Sequence, residues 1–396
     1  MPALEGMRIL DMTQYEAGTS CTQALAWLGA DVVKVERPGI GDPGRYSMSR
    51  DSQDSEYFIN WNSNKKSITL ALETEKGRDL LLKMLPHFDV FVENFGPGVI
   101  EKLNIGYEVM KAIHPAIIYG RIKGFGTSGP YANYKSFDMV TQAAAGAYSI
   151  TGERNGPPLR PGPTTGDSGT GMQMALAIAA AYIQRQRTGQ GQLIEISMQE
   201  AMIYYMRTAI SSGSNWGKRP ASRNGTGGSA AMNVYPCSPF GQNDYISIVA
   251  ITPRMWRNLC KAIGREDLLT DDRFEEPADR RKNSDALVAA ITSWTKNHTK
   301  EEAMKILAEA DVPVSAVFDT QDLFNNPHLK ERGFIHTIEH KEHGQVPLMG
   351  WAPRMSESQV PIEAAPLLSE HTDEILRKEL GLTEDQIQDL RQNGII

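Results

Sequence analysis

Over roughly the first half of the chain, short apolar runs alternate with segments of helical periodicity. That alternation is the pattern of a parallel sheet covered by helices. The runs Arg8–Asp11, Asp31–Glu36, Asp89–Glu93, Ile117–Gly120 and Leu193–Ser197 read as strands. Thr19–Leu28, Glu75–Leu85, Ser136–Tyr148 and Thr170–Arg187 read as helices, and Met198–Ser212 as a further apolar one. Because Met172–Gln184 is Ala-rich and apolar almost all round, the spacing predicts a helix buried deep in the structure. The pattern stops at Ser211–Ser229, which is rich in Gly, Ser and Asn. A smaller α/β unit follows, with a strand at Tyr245–Val249, helices near Pro253–Ile263, Asp285–Asn297 and Lys300–Ala310, and a strand at Ser315–Phe318. The domain organisation expected is therefore 1–210, a linker and glycine loop at 211–229, a small domain at 230–318, and a return over 319–396.

Composition removes several classes of partner. Forty-one Lys and Arg against 48 Asp and Glu leave a net charge of -7, which does not favour nucleic acid. The three cysteines, Cys21, Cys237 and Cys260, are too scattered for a disulfide framework or a four-cysteine zinc site and suit a reducing cytoplasm. No apolar run approaches the roughly 18 to 20 residues that cross a bilayer, and Met1–Glu5 has no basic region leading into an apolar one. A cytoplasmic protein without membrane contact is expected.

Three loops fall where open α/β sheets bind ligands, at the carboxyl ends of strands. Met12–Gly18 opens a helix without a Gly-x-Gly-x-x-Gly, and Glu16 would repel phosphate there; an ordinary strand-to-helix turn is the plainer alternative. Asn94–Gly98 carries Phe95, suited to stacking on adenine or to core packing. Arg37, just past the second strand, suits a phosphate or simply the surface. The literal Gly-x-Gly-x-x-Gly at Gly124–Gly129 is followed by Pro130 and a polar stretch instead of a helix, which argues against nicotinamide.

The most informative segment is Pro163–Met172, a Gly-rich turn entering the apolar helix with Asp167 at its start. Asp167 suits a helix cap contributing roughly 1 kcal/mol. The same physics would serve a nucleophile, since a helix N-terminus favours the ionised carboxylate, which attacks an activated acyl group without a general base, although the cap is the plainer local reading. Other chemistries lack their residues. There is no His-Glu-x-x-His, no Gly-x-Ser-x-Gly and no P-loop, and His340 and His343 beside Glu339–Glu342 read as solvated loop residues. The tract Gly225–Ser229 suits a mobile lid or a plain linker.

Several segments together resemble the class III CoA-transferases, the group that contains formyl-CoA:oxalate and carnitine CoA-transferases. They are Leu4-Glu5-Gly6 with Leu10-Asp11, Leu28–Gly39, Asn64–Ile68, Val92–Gly98, Gly166-Asp167-Ser168, Thr188–Gln192 and Pro366–Thr372. The resemblance implies a large Rossmann-like, doubly wound α/β domain built from both chain ends, a smaller α/β domain, and an interlocked homodimer. It implies that Asp167 attacks the donor thioester to form an aspartyl anhydride, that CoA thiolate returns to give an aspartyl-CoA thioester, and that an acceptor carboxylate reverses the sequence without ATP. Substrates would be an acyl-CoA and a small carboxylic acid, formyl-CoA with oxalate or a small dicarboxylate, with no metal and no nicotinamide.

Residue by residue, the resemblance assigns CoA binding to Ala17, Arg37, Leu70, Ala71, Leu72, Glu73, Asn94, Phe95, Gly96, Lys102, Lys135, Ser136, Phe137 and Asp138. Glu16 departs from the glutamine of the formyl-CoA enzymes, which points to a different acyl pocket. Gly225, Gly227 and Gly228 resemble the family's lid, with fewer glycines. Racemases of α-methylacyl-CoA share the fold but carry a histidine where Phe137 stands, and two-sided proton transfer needs that second acid or base. The alternatives kept are an acyl-CoA racemase or isomerase, and a non-catalytic CoA- or nucleotide-binding protein in which Asp167 only caps its helix.

Overall fold

A computed structural model describes residues 1–47, 54–227 and 229–396. The chain divides into two units. Met1–Tyr148, Arg160–Arg219 and Gly333–Ile396 form the first, and Ser149–Leu159 with Pro220–Arg332 form the second. Two features of this division differ from the sequence expectation: an excursion at 149–159 joins the smaller unit, and the short helices Thr320–Asn325 and Pro327–Glu331 stay with it.

In the first unit, Arg8–Met12 (β1), Asp31–Glu36 (β2), Lys66–Thr69 (β3), Val90–Glu93 (β4), Ile118–Lys123 (β5) and Gln192–Ser197 (β6) make one parallel sheet in the order β3-β2-β1-β4-β5-β6. Neighbouring residues of each strand feed opposite faces, as the two-residue period of a strand requires. Leu10, Val33, Phe91 and Tyr119 pack with Ile375, Leu376, Ile387 and Leu390 from the C-terminal helices. Ile9, Val32, Val90 and Ile118 pack on the other side with Leu25 and Ile178. The sheet is therefore covered on both faces, and the last residues of the chain complete the core begun by the first.

The chain winds outward from β1 to β3, then returns to place β4 beside β1, with Met12 opposite Glu93. Loops after these two strands diverge and leave a crevice at the carboxyl edge. Beneath it lies a buried ionic web. Asp11 accepts from Lys65 at 3.0 Å and Thr22 at 2.7 Å, Lys34 pairs with Asp42 at 2.9 Å, and Arg45 pairs with Glu36 at 2.7 Å and with Asp54. Burial raises the Asp11 carboxyl, but Lys65 and Lys34 outweigh it and hold the group at about 2. Lys34 also donates to the Thr13 carbonyl at 2.7 Å, so the web anchors the first loop from below.

The helix Ser168–Thr188 differs from the expectation of burial all round. Its Gly171, Met174, Ala175, Ile178 and Ala181 face the core, whereas Leu176 is 73% and Ile183 56% exposed. The segment expected as one helix at Ser136–Tyr148 is two, Asp138–Ala144 and Ala147–Ile150, broken where Gly146 takes φ +90°. His340 is not a solvated loop residue; it ends the hairpin strand Ile335–His340, 1% exposed, and its ring meets His343 at 5.2 Å.

The second unit has a three-stranded antiparallel sheet, Met232–Pro236 (β7), Tyr245–Val249 (β8) and Val314–Ala316 (β9), in that order. Helices Pro253–Ala262, Ser284–Thr295 and Lys300–Glu309 bury Trp256, Leu259, Ile291 and Leu307 against it. Gly225 donates to the Gly152 carbonyl at 3.0 Å, and a Cβ on Gly227 would stand 2.1 Å from the Met232 carbonyl oxygen. Gly228 lies outside the described residues.

Candidate functional site

The helix Ala17–Ala26 starts directly after β1, and the central helix Ser168–Thr188 packs along it. The approach is so close that a Cβ on Gly171 would fall 2.0 Å from Ser20 Oγ and 2.6 Å from the Ala17 carbonyl oxygen. That contact brings the N-terminal turn of the central helix to the crevice between β1 and β4. Tyr15, in the loop before the first helix, is held at φ +58°, a conformation a tyrosine rarely adopts. Its amide donates to Asp42 at 3.1 Å, and its carbonyl accepts from Thr19. Across the crevice the Asn94 amide bonds the Gln14 backbone in both directions at 2.8 Å, tying the loops after β1 and β4 together.

Two cavities open along this edge. The one of about 220 Å³ is lined by Ala17, Asn94, Phe95, Gly96, Lys135, Ser136, Phe137 and Asp167. The other, of about 360 Å³, is lined by Arg37, Leu70, Leu72, Glu73 and Phe95, so the Phe95 ring borders both. The arrangement thus gathers most of the residues singled out in the sequence. Ala71 is not among the linings: it is buried, and its amide donates to the Ile395 carbonyl at 2.8 Å. Lys102 is exposed at the end of a short helix and lines neither cavity. Arg37 is half of an exposed ion pair with Glu73 at 3.1 Å, which an incoming phosphate would have to displace.

Asp138 has a different place from the cavity wall. It is buried, accepts from Gln142 at 2.8 and 2.9 Å, and receives the amides of Gly166 at 2.9 Å and Asp167 at 3.3 Å. Its carboxylate therefore shapes the turn that presents Asp167. Gly166 is required there, because a Cβ would lie 2.8 Å from both Asp138 Oδ1 and Thr141 Oγ1.

Asp167 does not cap its helix. Its backbone is already helical at φ -85°, ψ -72°, and its carboxyl makes no capping hydrogen bond. A capping side chain needs extended backbone to fold back on the first amides. The stability expected from a cap is thus absent, and Asp167 is among the residues that line the cavity. The expected acidity is also corrected: burial, with Glu16 and Asp138 close by, pushes the group up to about 8. Loss of hydration and like charge outweigh a helix start that supplies no direct hydrogen bond.

Glu16 is 3% exposed and is likewise pushed up, to about 7, by burial first and then by Asp138. The Thr164 hydroxyl donates to it, and this, with the Tyr57 and Ser168 hydroxyls nearby, favours its anion. Thr164 and Ser168 belong to the segment already marked in the sequence. Tyr57 carried no sequence signal beyond its place in a helix, Glu56–Asn62, capped by Ser55. Among the described residues, no three His, Cys, Asp or Glu side chains are grouped to hold a metal ion. The Gly-x-Gly-x-x-Gly serves two separate ends: Gly124 leaves room for Ser136 in the cavity wall, and the Thr127 amide donates to Glu195 at 2.9 Å.

Residues 4–372 match CoA-transferase family III. The chain is 38% identical to the formyl-CoA:oxalate CoA-transferase of Rhodopseudomonas palustris (strain BisA53), over 100% of this chain and 97% of that protein. It is 37% identical to a protein of the same name from Streptomyces avermitilis, over 100% and 99%. A solved CAIB/BAIF family protein from Brucella suis shares the fold with a TM-score of 0.85 and 30% identity, over 95% of this chain and 99% of that one. A doubly wound sheet with Asp167 at its crevice and a family match that runs nearly end to end lead to one assignment: the chain belongs to the class III CoA-transferases.

Proposed function

We propose that the protein moves CoA from an acyl-CoA thioester to a small carboxylic acid, with Asp167 as the covalent carrier. Asp167 attacks the thioester carbonyl, a carbon–oxygen bond replaces the carbon–sulfur bond, and CoA thiolate leaves an aspartyl anhydride. The thiolate then attacks the aspartyl carbonyl, the first carboxylate departs, and an acceptor carboxylate runs the two steps backwards. Each intermediate keeps the activation of the thioester, so the cycle needs no ATP. The observation that carries this reading is that Asp167 lines the cavity and its side chain makes no capping bond.

CoA is assigned to the crevice. Its phosphates suit Arg37 and Lys135, with Lys102 a further candidate that lies outside both cavity linings, and the pantetheine arm would pass Phe95, which borders both cavities, toward Ala17 and Asp167. Leu70, Leu72 and Glu73 flank the outer cavity. Relatives named formyl-CoA:oxalate CoA-transferase favour formyl-CoA with oxalate, or a similar small dicarboxylate, as the substrates. A homodimer is supported by the uncovered apolar side of the central helix at Leu176 and Ile183. Phe137 at the cavity offers no proton to a substrate α-carbon, which disfavours racemisation.

The test is covalent trapping. The protein is incubated with formyl-CoA or succinyl-CoA, treated with hydroxylamine, and digested for mass spectrometry. A hydroxamate at Asp167 is expected in the wild type. Asp167→Ala should show none and lose turnover; turnover retained in that variant would overturn the assignment.

A further inference from the structure

The loop between β1 and the first helix is fixed at its backbone by side chains. Each amide and each carbonyl of Thr13, Gln14 and Tyr15 has a side-chain partner. The Thr13 amide donates to Asp11 at 2.9 Å and its carbonyl accepts from Lys34 at 2.7 Å; Gln14 exchanges both bonds with Asn94 at 2.8 Å. The Tyr15 amide donates to Asp42 Oδ1 at 3.1 Å, and its carbonyl accepts from Thr19. Asp42 is itself pinned. Its amide donates to Glu36 at 2.8 Å, its Oδ1 also accepts from the Gly44 amide at 2.8 Å, and its Oδ2 pairs with Lys34 at 2.9 Å. This bonding keeps Tyr15 at φ +58°, where glycine would sit without strain. A turn alone would be served better by glycine, so the side chain is what the strain secures.

The ring that this backbone carries meets Phe137 edge to face, with centroids 5.9 Å apart and planes at 86°. Phe137 stands on the opposite loop, as the residue before the helix Asp138–Ala144. Both residues line the inner cavity with Asp167, and neither lines the outer one, where Arg37 and Glu73 stand. The pair therefore meets what lies beside the reacting carboxyl, which is the end of the pantetheine arm and the acyl group it carries. The inner cavity is also the smaller, about 220 Å³ against about 360 Å³. We propose that Tyr15 is a specificity-determining residue: its ring, closed against Phe137, limits the length of the acyl chain that the cavity admits. This rests on the reaction proposed above and names the class of donor, a short-chain acyl-CoA. The part of the ring is steric, and no proton passes through it. A longer chain must break the aromatic contact or leave methylenes in water, and either loss weakens binding of the transition state.

Exchange of a radiolabelled acid into its own CoA thioester tests this, because it uses Asp167 and needs no second acceptor. The ratio kcat/KM is measured with acetyl-, butyryl-, hexanoyl- and octanoyl-CoA, each beside its own labelled acid, for the wild type, Tyr15→Phe, Tyr15→Ala and Tyr15→Gly. The wild type should lose about tenfold or more between acetyl and octanoyl donors. Tyr15→Ala and Tyr15→Gly should raise the octanoyl-to-acetyl ratio about tenfold, and Tyr15→Phe, which keeps the ring, should hold the wild-type ratio. Comparing donors within one variant cancels any loss of folded protein. Tyr15→Gly should also melt at a higher temperature than Tyr15→Ala, since glycine relieves the left-handed backbone; the reverse order overturns the role given to the strain. A wild type indifferent to chain length, or a ratio unmoved in both Tyr15→Ala and Tyr15→Gly, overturns the inference while the reaction stands. If no donor exchanges in the wild type, the reaction itself is overturned and the inference falls with it. Should Tyr15→Ala fail to fold, Tyr15→Gly decides alone by the same ratio.

Discussion

Asp167 is costly to ionise, because it is largely buried and set near Glu16 and Asp138, and among the described residues no cation pairs with it. A carboxyl whose folded value lies above its unfolded one binds more protons folded than unfolded. Stability is therefore lost as pH rises from the ordinary aspartate range toward about 8. Asp167→Asn, which cannot ionise, should stabilise the ligand-free protein by roughly 1 to 2 kcal/mol at pH 8 and by less at pH 5. Melting curves at the two pH values check this, and a variant less stable than the wild type at pH 8 would contradict it. Asp167 was legible in the sequence because the turn around it is locally distinctive. The bond from Thr164 to Glu16 was not, since it joins residues 148 apart, and Tyr57 sat in a helix with no unusual feature.

At the scale of elements, the five strands expected from apolar runs are all present, with ends shifted by a few residues. The missing sixth, β3, reads Lys-Ser-Ile-Thr and has one strongly apolar residue. Its polar residues are buried by specific partners instead: Ser67 donates to Glu36 at 2.6 Å, and the Thr69 amide donates to Thr372 Oγ1 at 3.0 Å. A hydrophobic pattern is blind to such a strand, because its stabilisation comes from partners far along the chain. The same holds for β7, which follows directly on the Gly- and Ser-rich stretch. Depth was misread in the central helix because an apolar residue on its outer side looks the same in sequence whichever surface covers it. Where that helix crosses the first one, packing leaves no slack. Gly171→Ala should cost roughly 2 to 3 kcal/mol, since a backbone oxygen cannot move aside as a side chain can. Urea unfolding reads the loss directly, and a change within experimental scatter would show that the two helices separate easily.

A lone protomer exposes several large apolar side chains. Leu176, Ile183, Tyr204 and Trp216 expose between 56% and 76% of their surface, all in the first unit. If a second copy covers them, replacing Leu176 and Ile183 together by lysine should weaken association on the order of a hundredfold while the protomer keeps its melting temperature. Light scattering over a dilution series measures this; a wild type that is monomeric at micromolar concentration, or a double variant that associates unchanged, would remove the second copy from the account.

The end of the chain also has a role in time. The Arg45 guanidinium is fully buried and donates two hydrogen bonds to the Pro366 carbonyl at 3.2 Å, the Ser67 amide donates to His371, and the Ala71 amide to the Ile395 carbonyl. During synthesis on the ribosome, the opening strands emerge hundreds of residues before the groups that close over them. A nascent protein halted before residue 366 would therefore lack an acceptor for the Arg45 guanidinium and the apolar cover that Ile375, Leu376, Ile387 and Leu390 give one face of the sheet. Such a polypeptide is a natural client for chaperones until the residues that close over its first strands have emerged.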